Sequence, residues 1–292
     1  MNGIIKQREN GHWGFFVNGK MMASSGKSQE KLIETVKKKF GDVNFINTDS
    51  VEMEIPKSEF SVAERFDFIS EFVRLVARGV IPSLVVTGSG GLGKTHTIIE
   101  TLKAAGKIEL GIGDADGDFV MMKGYATPRG LYEALYDYNG KIIVFDDCDS
   151  VHKDAIAANL MKAALDSNGK RVISWGSSSS KDDTYPTRFE FIGKVIFISN
   201  LSLDKFPQAL LSRSMLADIT LNTEEKIERI AQVFESETAH EMDDKIEVIE
   251  FIRKNATKFK DLNIRSAFNA LKMKVAIGDN WERMALYSAT LN

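Results

Sequence analysis

Residues 88–95 read Gly88-Ser89-Gly90-Gly91-Leu92-Gly93-Lys94-Thr95, a spacing of glycines, lysine and threonine suited to holding a nucleoside triphosphate. The glycines permit backbone angles that turn successive N–H groups toward phosphate oxygens. A helix opening just after Lys94 adds its positive end to the same anion site. The Lys94 ammonium would reach the β- and γ-phosphates and the Thr95 hydroxyl would ligate Mg²⁺, with His96 the next member of the nucleotide-binding set. A second stretch, Lys141-Ile142-Ile143-Val144-Phe145-Asp146-Asp147, is an apolar strand candidate that ends in two carboxylates. Asp146 would hold the water shell of the metal and Asp147 would polarise an attacking water.

These residues need a scaffold that delivers them to one place. Residues 83–87 are a short apolar strand candidate directly before the glycine loop, and 97–105 read as a helix after it. Further strand candidates fall at 118–122, 141–145, 194–199 and 217–221, mostly as near-continuous apolar runs separated by helical patterns. Such runs are the signature of a parallel sheet covered on both faces, where phosphate ligands bind at the carboxyl ends of the strands. A helix over 61–78 carries Phe66, Ile69, Val73 and Val76 on one face. Beyond Thr223 strand signals cease. Ile227, Ile230 and Phe234 mark one amphipathic helix, and Ile264, Phe268, Leu271 and Val275 another. Before residue 55, two strand candidates flank Asn18-Gly19, a strong hairpin-turn signal, followed by a helix over 28–40 and strand candidates at 43–46 and 51–55. The expected fold class is therefore α/β: a parallel-sheet P-loop core over 56–221, a helical lid over 222–292 and a small N-terminal α+β unit over 1–55.

With this order of motifs the chain resembles the AAA+ ATPases, the ring-forming P-loop motors and switches, over about residues 61–275. The resemblance rests on the glycine loop, on Ile142 to Asp147, and on three further segments. Val195-Ile196-Phe197-Ile198-Ser199-Asn200 is similar to the family's sensor-1 strand, which implies that Asn200 orients the water. Ala209-Leu210-Leu211-Ser212-Arg213-Ser214 resembles the segment carrying the arginine finger, which implies that Arg213 reaches the nucleotide of a neighbouring subunit. Leu262-Asn263-Ile264-Arg265-Ser266-Ala267 resembles the start of the sensor-2 helix, with Arg265 contacting phosphate. The resemblance implies ATP and Mg²⁺ as cofactors and a homo-oligomer, usually a hexamer. One departure is plain: the family usually has Glu where this chain has Asp147, one methylene shorter, so slow turnover or a nucleotide switch is a competing expectation.

The substrate is less sharply marked. Residues 171–175 and 188–191 have the form of a hairpin just before the sensor-1 strand, with the polar tip Ser177-Ser178-Ser179-Ser180-Lys181 suited to a phosphate backbone and Asp182 and Asp183 opposing it. Residues 1–40 hold eight Lys/Arg against three Glu, while 41–55 add four acids and no base. A DNA transaction, as helicase, loader or remodeller, is the favoured expectation. An ATP-gated assembly scaffold and a protein unfoldase are the alternatives, the latter weakened because Tyr125-Ala126-Thr127 does not match a pore-loop signature. The 292 residues, 43% of them hydrophobic, supply one large core and a satellite domain. The single Cys148 excludes an internal disulfide framework and suits a reducing compartment. No apolar stretch approaches a membrane span and no signal-peptide pattern opens the chain, so a cytoplasmic, non-membrane protein is expected. Three lures are set aside. Ser25-Gly26-Lys27-Ser28 lacks the first loop glycine, which would be Met21. Asp114-Ala115-Asp116-Gly117-Asp118 lacks a calcium loop's sixth-position Gly (Phe119) and twelfth-position Glu (Tyr125). His12, His96, His152 and His240 have no metal-ligating spacing.

Overall fold

The computed structural model describes residues 2–7, 12–17, 20–25, 28–41, 43–47, 58–114, 116–124, 127–148, 151, 154–166, 169–176, 184–278 and 280–291. They fall into two compact units, Met1–Lys57 and Ser58–Asn292. The expected turn at Asn18-Gly19, the strand at 51–55, Tyr125 and the hairpin tip at 177–183 lie outside the described residues.

In the first unit, strands β1 (Asn2–Gln7), β2 (Trp13–Val17), β3 (Lys20–Ser25) and β4 (Asn44–Asn47) form one sheet in the order β3-β2-β1-β4, with helix α1 (Gln29–Phe40) between β3 and β4. Leu32 and Val36, four apart on α1, bury one face of that helix against Ile5 and Phe15. Ser28 caps α1, and Lys37, Lys38 and Lys39 sit in its last turn, where cations favour the helix dipole.

The second unit is built on a fully parallel sheet. Strands β5 (Ser83–Gly88), β6 (Phe119–Lys123), β7 (Ile142–Asp146), β10 (Lys194–Ile198) and β11 (Met215–Ile219) lie in the order β11-β5-β10-β7-β6. The period of two in each strand divides its side chains between two cores. Leu84, Val86, Ile142, Val144, Ile196 and Ile198 face helices α2 (Val62–Ala77) and α3 (Lys94–Ala104). Val85, Ile143, Phe145, Val195 and Phe197 face α4 (Pro128–Asp137) and α5 (Ala155–Ala164). Burial on both faces is why these strands read as unbroken apolar runs; each such side chain contributes about 1.5–3 kcal/mol. The antiparallel pair β8 (Val172–Ser174) and β9 (Arg188–Glu190) precedes β10 as expected.

After the short helix α6 (Gln208–Leu211) and β11, four helices follow: α7 (Thr223–Ser236), α8 (Met242–Asn255), α9 (Ile264–Ile277) and α10 (Trp281–Leu291). They share a core of Ile227, Ile230, Phe234, Phe251, Ile252, Leu271 and Trp281. Capping boxes at Asn222/Glu225 and Asn263/Ser266 fix where α7 and α9 begin. No helix among the described residues is long and apolar enough to cross a membrane.

Three sequence expectations shift. The last strand lies at 215–219 rather than 217–221, because Thr220 and Leu221 leave the ladder to enter the Asn222 cap. The helix after the glycine loop opens at Lys94, as the loop spacing implies and three residues ahead of the helical stretch at 97–105, since Gly93, in the left-handed conformation, ends the loop and starts the helix itself. Val275 is 56% exposed rather than buried, because the core side of α9 ends in Ala267, Ala270 and Leu271.

The four-helix segment is tied to the sheet by a buried ion pair. Arg65 on α2 donates through Nη2 to Glu225 Oε1 at 2.6 Å and through Nη1 to the Thr220 carbonyl at 3.1 Å. Both side chains are under one-tenth exposed, so losing one partner strands a charge in the interior. Arg65→Ala is expected to lower the unfolding free energy by about 3 kcal/mol in urea melts. An Arg65→Met/Glu225→Gln double variant, which leaves no buried charge and keeps an amide oxygen for the Asn222 N–H, should recover part of that loss; an unchanged midpoint in Arg65→Ala would contradict this account.

Candidate active site

The carboxyl ends of β5, β10 and β7 converge on one cleft of about 510 Å³, lined by Gly90 to His96, Asp146, Asp147, Ile198, Asn200, Asp261 and Asn263 to Arg265. Its size is that of a small-molecule site. The sheet order explains the convergence. Because β10 is hydrogen-bonded between β5 and β7, Asn200 emerges between the glycine loop and the paired carboxylates.

The loop needs its glycines. Gly88, Gly91 and Gly93 have φ of 123°, 69° and 93°, which L side chains rarely adopt. A Cβ at Gly88 would also meet the Ile219 carbonyl oxygen at 2.2 Å. Inside the loop lies Lys94, only 4% exposed. Its Nζ donates to the carbonyls of Gly88 and Ser89, both at 2.7 Å, and to Asn200 Oδ1 at 3.0 Å. The Asn200 amide in turn donates to Asp147 Oδ1 at 2.7 Å. Beside this chain, the Thr95 hydroxyl donates to Asp146 Oδ1 at 3.1 Å. Asp147 has φ of 55°, the only positive φ outside glycine among the described residues, and its N–H donates to the Ile198 carbonyl at 3.1 Å. Aspartate tolerates that conformation better than most residues.

Burial pushes the Lys94 ammonium down to about 8, against the opposing pull of Asp147, Asp146 and Asp218. Asp218 accepts the Thr87 hydroxyl at 2.6 Å on the neighbouring strand.

Of the residues singled out in the sequence, Gly90 to Thr95, His96, Asp146, Asp147, Asn200 and Arg265 line the cleft together, with Gly88 and Ser89 reaching Lys94 through their carbonyls. Arg213 does not join them. Its Nη1 donates to the Ala209 carbonyl at 2.8 Å, and its own carbonyl accepts from Ser83, at the amino end of β5. The loop follows the other end of that strand, about 16 Å away at ~3.3 Å per residue. Sequence reasoning missed Arg229 and Asn263. Arg229 stacks on Phe66, 3.6 Å from the ring centroid, and donates to the Leu92 carbonyl at 3.4 Å. Asn263 was readable as a cap ahead of an apolar helix; nothing in the local pattern marked Arg229.

Comparison with known proteins adds context. No family model matches the chain. An uncharacterized 36.7 kDa protein from the nrdC-mobD intergenic region of Enterobacteria phage T4 is 26% identical over 273 residues, spanning 85% of this chain and 82% of the phage protein. Among solved structures, the chain is similar to C. elegans PCH-2 (12% identity, TM-score 0.43, 79% of this chain and 68% of that one). It is also similar to a chain of the E. coli MS115-1 HORMA:CdnC:Trip13 complex (12%, 0.42, 77% and 87%). A third likeness is to the FIGL-1 AAA domain in complex with ADP (15%, 0.41, 84% and 88%).

The Lys94 ammonium loses its proton as pH rises through about 8, whereas a polyphosphate in the cleft would favour the charged form. Binding above that pH therefore requires proton uptake. Triphosphate affinity measured by calorimetry should be about tenfold weaker at pH 9 than at pH 7. A flat profile that still depends on Lys94 would contradict the assignment.

Proposed function

We propose that this chain is an ATP hydrolase of the AAA+ type, acting as an assembly of copies that turns nucleotide hydrolysis into remodelling of, or movement along, a partner. The observation that carries this reading is the convergence of Lys94, Thr95, Asp146, Asp147 and Asn200 from three adjacent strands on one cleft. Lys94 would meet the β- and γ-phosphates. The Thr95 hydroxyl and an Asp146 oxygen, already at hydrogen-bond distance, form the kind of hard oxygen pair that Mg²⁺ takes. When bound, the metal would neutralise charge building on the phosphates. Asp147 would accept the proton of an attacking water, with Asn200 holding the carboxylate and the water in register. Arg265, at the opening of α9, would reach the phosphates from the helical segment. The position of Arg213 at the amino end of β5 supports a role on a neighbouring copy's nucleotide, where a guanidinium would stabilise the dispersed charge of the transition state. The reading includes a ring, commonly of six copies, in which each Arg213 serves its neighbour.

A DNA transaction is the favoured use, supported by the β8–β9 hairpin ahead of β10 and by the basic last turn of α1. A second reading, an ATP-gated scaffold with slow turnover, draws on Asp147. Its short carboxylate is held by the Asn200 amide, and it sits on a left-handed backbone.

Arg213→Ala protein is expected to bind ATP but lose hydrolysis, and mixing it with Lys94→Ala protein should restore activity, since each supplies what the other lacks. No recovery on mixing, with full activity in Arg213→Ala alone, would sink the shared site. Adding single- or double-stranded DNA to the wild-type assay decides the partner: several-fold stimulation supports the DNA reading, and unchanged turnover turns it toward protein.

A further inference from the structure

The glycine loop is held from outside as well as from within. The Ile264 N–H, at the start of α9, donates to the Gly91 carbonyl at 3.0 Å. Arg229 on α7 donates through Nε to the next carbonyl, Leu92, at 3.4 Å. Two consecutive peptides of the loop are therefore fixed by two helices of the four-helix segment. A trans peptide points its C=O and its N–H in opposite directions. Fixing the Gly91 carbonyl thus turns the Leu92 N–H the other way, and fixing the Leu92 carbonyl does the same for Gly93. Among the described residues neither of these two N–H groups finds an acceptor, although Leu92 is fully buried. Unpaired donors of this kind are costly unless a ligand meets them.

The outer donors are themselves held. The Arg229 guanidinium lies 3.6 Å from the centroid of Phe66 on α2, and its Nη1 donates to Gln232 at 3.3 Å. Asn263 packs so closely that a Cβ at Gly91 would come within 2.9 Å of its Cγ.

We propose that Arg229, with the Ile264 N–H, is a positioning residue that pre-aims the Leu92 and Gly93 N–H groups at the phosphates, so that the helical segment is part of the anion cradle. Arg229 need not touch the ligand to do this. The inference rests on the phosphate-site reading above.

The test is calorimetric titration of tripolyphosphate and of ATP, each with Mg²⁺, into full-length wild-type, Arg229→Met, Arg229→Lys and Lys94→Ala protein. Amide hydrogen exchange is read on the same samples. Methionine keeps an apolar stem on Phe66 but removes the donor. Affinity for both ligands should fall on the order of tenfold in Arg229→Met, the effect of one aimed hydrogen bond to a charged group, and recover in part in Arg229→Lys. With Mg²⁺ tripolyphosphate present, the protection that the ligand gives residues 90–95 should be smaller in Arg229→Met than in wild type, while the α9 amides stay protected. Binding within twofold of wild type in Arg229→Met would overturn the proposal. So would weakened binding with α9 deprotected, which would assign Arg229 a merely structural part. Wild-type affinity no better than that of Lys94→Ala would instead sink the phosphate-site reading itself.

Discussion

One cation sets the terms for this molecule. Lys94 is almost fully enclosed, and an enclosed ammonium is tolerable only where oxygens surround it. Its partners are the two loop carbonyls and the Asn200 amide oxygen, with Asp146 and Asp147 beyond. Satisfying it requires the tight backbone of Gly88 to Gly93, which only glycines permit at three positions. It also requires β10 to lie between β5 and β7, so that Asn200 arrives at the right height. The sheet order is thus tied to the chemistry of the cleft: with β10 at an edge, Asn200 could not join Lys94 to Asp147.

The same network keeps Lys94 and the two aspartates from pairing directly with one another. Lys94 is bonded to neutral oxygens and not directly to a carboxylate, so on the proposed reading phosphate oxygens would replace the carbonyls without breaking a buried ion pair. Asp147 is kept out of that exchange by the Asn200 amide. The helical segment contributes from the far side of the loop. It is fastened to the sheet unit by Arg65 and Glu225, two residues with no place in the cleft. Any closing or opening of α7 to α9 would pass through that ion pair, the Phe66–Arg229 stack and the carbonyls of Gly91 and Leu92.

How far the sequence disclosed this follows from the range of each interaction. The strands were legible because burial on both faces leaves unbroken apolar runs such as Ile142 to Phe145. The loop was legible because its glycines, lysine and threonine fall within eight consecutive residues, with positive φ at Gly88, Gly91 and Gly93. Asp146, Asp147 and Asn200 were found because they terminate such runs. Boundaries moved where a local cap outweighed apolarity, as when Asn222 drew Thr220 and Leu221 out of the last strand. Arg229 was invisible because its partners, Phe66 and Leu92, are more than a hundred residues distant, and an arginine on a polar helix face has no local signature. The Arg65–Glu225 pair was hidden for the same reason.

The most direct test of the central claim is single-turnover hydrolysis of bound ATP by wild-type protein and Asp147→Asn protein side by side. The account predicts that both retain ATP with Mg²⁺, that the wild type cleaves it, and that the variant, lacking the carboxylate that takes up the water's proton, holds it intact. Equal cleavage by the two proteins would contradict the account and place the chemistry elsewhere.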